Sequence, residues 1–352
     1  MSVSGAGDRS PAPGPATFGD RLVAAVAARE SQIVLGIDPD PARMWPGPLG
    51  RSSEARAALA QALAAAHGKA GAVSATVAAH ATNGGATRAA GIEPPALEAA
   101  AAVLAHSLAL IDAAGPACVA AKPQLACFER LGFAGALALE AVCARARSAG
   151  LLVLADGKRG DVPVTAAAYA QALIGGTPSP FGLVPGLGVD ALTANPLIGA
   201  DALEPLVEGA RGAGAGVFVL VRTSNPGAAD LMDLPLASGE PLWERLAALV
   251  AGLGQAGREG LADVGAVTGA TAPQHLSRMR ELMPNTPFLL PGVGAQGGDV
   301  ATLAPAFAPG RAAGLVTASR SIVHAHEQAG GDPAAAARAE AERLRELAWA
   351  LA

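Results

Sequence analysis

Lysine is nearly absent from this chain. Of 25 basic residues in 352, only Lys69, Lys122 and Lys158 are lysine. Cysteine is equally sparse: Cys118, Cys127 and Cys143 form no CxxC pair, which excludes a disulfide framework or a zinc site built on cysteine and suits a reducing cytoplasm. There is no basic block and no interleaving of basic and aromatic residues, and the net charge is −5, so nucleic acid is not an expected partner. The longest apolar stretch, Ala99 to Ala121, is broken by His106, Asp112 and Pro116, so no membrane span is expected. No HExxH motif, clustered His/Asp set, Walker A loop or GxGxxG after the first strand is present, and His324 and His326, two apart on an expected helix, do not suggest a metal pair.

What is present is apolar and periodic. Hydrophobic residues make up 51% of the chain. Short apolar runs bounded by turn residues predict strands near Ile33–Ile37, Ala117–Ala121, Leu151–Ala155, Val189–Thr193, Gly216–Val221, Val264–Thr268, Pro287–Pro291 and Ala313–Thr317. Between them lie helix-length segments such as Phe133–Ala149 and Leu242–Gly257. Strand–helix alternation repeated about eight times predicts an α/β fold, a single (βα)8 TIM barrel. Asp332 is expected to N-cap a closing helix with Pro333 at its first position. Residues 1–17 resemble no signal peptide and are expected to form a disordered leader to a barrel over 18–352. An Ala/Gly-rich insertion is expected at about 50–95, because roughly 80 residues separate the first two strands.

In such barrels the active site lies at the C-terminal strand ends. The residues following the expected strands are Asp38; Lys122; Asp156, Lys158 and Asp161; Asn195; Arg222, Thr223 and Ser224; Gly292, Gly294 and Gln296; and Ser319 with Arg320. Two of the three lysines sit here, where arginine would hold charge but transfer a proton poorly. If the third strand continues through Lys158, Asp156 and Lys158 point to the same side, and the carboxylate favours the charged lysine. A solvated turn of opposite charges is the bland alternative for "ADGKRGD" alone; a second ammonium at Lys122 tips the balance. Asp38 is placed to contact Lys122. The glycine loop "PGVGAQGGD" and Arg320 in "ASRSI" form a candidate phosphate cradle after the seventh and eighth strands.

The segments "LGIDPD", "KPQLACFERLG", "DGKRGDVPVTAAAYA", "TANPLIGAD", "FVLVRTSNPGAADLMDL", "GAVTGAT", "PFLLPGVGAQGGD" and "SRSI" occur in one order. Together they resemble the orotidine 5′-phosphate decarboxylase family, in its longer bacterial subgroup. The resemblance implies conversion of orotidine 5′-monophosphate to UMP and CO2 without metal or organic cofactor, in a cytoplasmic homodimer with shared active sites. It also implies roles. Asp38 would bind ribose, and Lys122 would bridge the sugar and the carboxylate network. Asp156 would lie beside the substrate carboxylate, and Lys158 would protonate C6. Asp161 and Thr165 would reach into the neighbouring subunit's site. Ser224, with Thr223, would contact the pyrimidine, and Gln296 and Arg320 the phosphate; Asn195 and Gly294 complete the candidate substrate-binding set. Two readings compete: a phosphosugar lyase or aldolase sharing the D-x-K-x-x-D rim, and a non-catalytic phosphate-binding barrel. The chain departs from the family's pattern in its long Asp38–Lys122 spacing, in Gly157 where alanine is common, and in Leu197 where an aromatic residue is frequent.

Overall fold

The computed structural model describes residues 16–49, 53–57, 59 and 94–352. The expected leader and most of the expected insertion lie outside the described residues. Thr17 does not: it N-caps the first helix, Phe18–Arg29, in a capping box with Asp20.

Eight parallel strands close into a barrel. We number all strands in chain order: β1 Ile33–Ile37, β2 Ala120–Pro123, β3 Leu152–Arg159, β4 Gly176–Ser179, β5 Gly182–Pro185, β6 Ala191–Ala194, β7 Gly216–Arg222, β8 Val264–Thr268, β9 Phe288–Leu290 and β10 Gly314–Ala318. The barrel order is β1-β10-β9-β8-β7-β6-β3-β2, and the seam between first and last strands pairs Ile33 with Val316. β4 and β5 form a separate two-stranded hairpin outside it. The strand pattern anticipated no hairpin there, because "GTPSPFGLVP" carries three prolines and almost no period-two alternation.

Successive strand residues face opposite ways, which divides the core into two layers. Val34, Leu154, Phe218, Val267, Leu289 and Leu315 fill the barrel interior together with Phe18, Leu22 and Val26 of the first helix. Ile33, Leu35, Ile37, Val153, Val217 and Val316 pack outward beneath the covering helices. Phe18 meets Phe218 edge to face at 5.8 Å, and a Cβ on Gly216 would come within 2.4 Å of the Phe18 ring. The close approach therefore requires glycine there.

The helix Pro94–Ala114 is long and apolar enough to cross a membrane by composition alone. Leu97, Ala101, Val103, Leu104 and Ile111 instead bury it in the outer core layer, where it packs on the helices Gly132–Ser148 and Pro333–Leu351. The last of these is capped as expected, the Asp332 carboxylate accepting from the Ala335 amide at 2.9 Å.

Several strands run further than their apolar runs. β2 ends at Pro123 and β3 at Arg159, so the ladder continues into polar sequence; Ala117 is in a 3-10 turn rather than in β2. Between Ala155 and Arg159 the register of β3 against β6 shifts, a bulge at the C-terminal rim.

Candidate active site

A cavity of about 620 Å³ opens at the C-terminal strand ends. Asp38, Lys122, Asp156, Lys158, Thr223, Ser224, Gln296 and Arg320 line it, each anticipated from sequence. Gln124, Thr193, Asn225, Met232 and Thr317 also line it and were not singled out. For Gln124 a signal existed, since it closes the "KPQ" segment with Lys122. Thr193 and Thr317 read as ordinary strand residues, and only the closed barrel turns them inward.

Asp156 is the hub. Lys122 Nζ donates to its Oδ2 at 2.5 Å and Lys158 Nζ to its Oδ1 at 2.6 Å. Thr193 Oγ1 donates to Oδ1 at 3.0 Å. Burial alone would raise the Asp156 pKa, but the two ammonium groups outweigh it and bring it to about 2. Lys122 is likewise buried, which disfavours its charge; Asp156 and then Asp38 reverse this and hold its pKa above the ordinary lysine value. One carboxylate thus holds two ammonium groups on the cavity floor.

Lys158 owes its place to backbone geometry. It adopts φ 49°, the left-handed region, within the β3 bulge, and its amide donates to Thr193 Oγ1 at 2.9 Å. The expectation that Asp156 and Lys158 meet holds, through a bulge rather than a regular pleat.

Asp38, placed by its sequence position to contact Lys122, reaches it by charge and not by a hydrogen bond. Its Oδ2 accepts from Ser319 Oγ at 2.6 Å, joining the ends of β1 and β10, and its charge acts on Lys122 from a distance. Arg222 turns away from the cavity into a two-point ion pair with Asp233, both contacts at 2.9 Å. The loop after β9 presents Gly292, Val293, Ala295 and Gln296 to the cavity. Gly294 does not line it: its amide donates to Gly298 O at 2.9 Å, and a Cβ there would lie 2.9 Å from Ser321 Cβ. Its role is to let this loop approach the one after β10, beside Arg320. Arg320 has no carboxylate partner among the described residues.

Asp161, Thr165 and Asn195 lie outside the cavity of this chain. The Asp161 carboxylate accepts from the Val162 amide at 2.7 Å, and Asn195 Oδ1 accepts from the Leu197 amide at 3.0 Å. Thr165 stands half-buried on the helix Pro163–Leu173.

The profile of the "Orotidine 5′-phosphate decarboxylase / HUMPS family" matches residues 96–339. An orotidine 5′-phosphate decarboxylase of Deinococcus radiodurans is 46% identical over 246 residues, 68% of this chain and 83% of its own length. One from Verminephrobacter eiseniae is 35% identical over 333 residues, 94% of this chain and 97% of its own. The solved structure of Leishmania donovani OMP decarboxylase superposes with a TM-score of 0.60 at 25% identity, covering 93% of this chain and 98% of that one. A closed (βα)8 barrel with two lysines converging on one aspartate, matched over most of its length, makes this chain a member of the orotidine 5′-phosphate decarboxylase family.

Proposed function

We propose that the cavity binds orotidine 5′-monophosphate and that Lys158 supplies the proton that replaces its carboxyl group. The reaction is the decarboxylation of orotidine 5′-monophosphate to UMP and CO2, a step of pyrimidine nucleotide synthesis. The observation that carries the assignment of roles is the pair of ammonium groups on Asp156.

The C6–carboxyl bond breaks heterolytically: CO2 departs and the electron pair stays on C6. The Lys158 ammonium, fixed before the bond breaks, stabilises that developing charge and then transfers a proton to C6. The resulting neutral amine regains its proton from water. Asp156 orients Lys158 and, with Lys122, forms a rigid floor. Asp38 and Lys122 hold the ribose, Ser224 and Thr223 the pyrimidine edge, and Gln296 with Arg320 the phosphate. Phosphate binding far from C6 provides energy that orders the reacting end.

Asp161 and Thr165 fit this scheme in a homodimer, each completing the partner's cavity from the segment that follows β3. We take the residues before Thr17, which caps the first helix, as a leader, and about 50–95 as an insertion in the barrel.

The test is ultraviolet absorbance of orotidine 5′-monophosphate with purified protein and EDTA, wild type beside Lys158→Ala. Decay to UMP in the wild type alone is expected. Equal decay in both proteins would refute the role of Lys158, and decay in neither would refute the activity.

A further inference from the structure

We propose that Thr193 is a positioning residue that sets both the backbone and the ammonium of Lys158. The inference rests on the role of Lys158 proposed above. Among the described residues only Lys158 and Glu30 combine a side chain with positive φ. Glu30 is the C-cap of the first helix, where a left-handed residue is ordinary. Lys158 stands in a strand, where nothing in a lysine favours that conformation, so its surroundings must impose it.

Thr193 is the surrounding that does so. It lies on β6 between Leu192 and Ala194, whose partners Ala155 and Arg159 bracket the bulge. Its hydroxyl accepts from the Lys158 amide and donates to Asp156 Oδ1, the same oxygen that receives Lys158 Nζ. The contacts close a ring: lysine backbone to threonine, threonine to aspartate, aspartate to lysine ammonium. A hydroxyl is needed because the site requires one acceptor and one donor from a single atom. Valine has the same outline and supplies neither. Thr193 is 2% exposed, and its hydroxyl spends both of its hydrogen bonds within this ring.

The experiment measures kcat and KM for orotidine 5′-monophosphate in Thr193→Val, Thr193→Ala and Thr193→Ser, with Lys158→Ala alongside and UMP binding as the check on folding. Losing the hydroxyl should lower kcat by ~10- to 100-fold, the usual consequence of a reacting group displaced by a fraction of its reach. KM should stay within about threefold, because Gln296, Arg320 and Ser224 follow other strands and the interaction serves the reacting step. Thr193→Ser should restore most of kcat. Wild-type kcat in Thr193→Val or Thr193→Ala, beside an inactive Lys158→Ala, would overturn the proposal and leave the lysine reading standing. So would a serine variant as slow as alanine, since the hydroxyl would then be irrelevant. Retained activity in Lys158→Ala would remove the lysine role and the Thr193 proposal with it.

Discussion

Lys122 and Asp156 form an ion pair of 2.5 Å in which both side chains are buried. Such a pair adds little net stability over an apolar substitute, but removing one partner strands the other. Lys122→Met should therefore cost about 3 kcal/mol, the usual scale for breaking a buried pair. Urea unfolding of the variant measures this, and decarboxylase activity should fall in the same protein.

The pH range of that pair follows from its two shifts. Asp156, lowered to about 2 from an ordinary value near 3.8, stabilises the fold above that ordinary value and loses its contribution as pH falls toward 2. Lys122, raised above 10.5, contributes fully below that value and loses it only as pH rises through its higher folded value. The pair should thus persist across neutral pH, and the first acid-labile element is elsewhere.

His106 is that element. It is buried against Trp45, whose amide donates to His106 Nδ1 at 3.2 Å. Burial, reinforced by His324 and His326, lowers its pKa from 6.5 to about 4. Between those values the unfolded chain binds the proton and the folded one does not, so stability falls as pH drops, by about 3 kcal/mol near pH 4. Unfolding free energies at pH 7 and 4.5 should converge in His106→Gln, which keeps an acceptor for the Trp45 amide. An unchanged acid slope would contradict this.

Arg320→Ala should raise KM for orotidine 5′-monophosphate and lower kcat/KM by ~10- to 100-fold, the range of a charge-assisted contact to phosphate. Orotidine without its phosphate is the control: the variant and the wild type should process it alike.

The proposed sharing of sites is checked by mixing subunits. Lys158→Ala and Asp161→Ala are each expected to be inactive alone. In a heterodimer both defects fall in one site and the other is intact, so mixing should regenerate activity. No recovery in a demonstrated heterodimer would refute the contribution of Asp161 across the interface.

Much of this was legible in sequence. β1 and β8 are buried throughout and were read with their observed limits, since a strand buried on both faces leaves a near-continuous apolar run. β2 and β3 were read short at Ala121 and Ala155 because hydrophobicity stops where the cavity begins, while strand pairing goes on through Lys122 and Lys158. Asp156, Lys158 and Lys122 stood out as charges at the ends of apolar runs. Thr193 did not, because its partners are a bulge and a carboxylate more than thirty positions earlier. Gly294 was identified for a phosphate contact, whereas its part is steric, a close approach to Ser321.

The left-handed backbone at Lys158 sets folding against chemistry at one position. Left-handed φ costs a side-chain-bearing residue about 1 kcal/mol that glycine avoids. Lys158→Gly would ease the bulge and erase the proposed proton donor together. On the role proposed for it, lysine is held there by chemistry, against what its chain would relax into, so a screen for heat resistance alone would select against it.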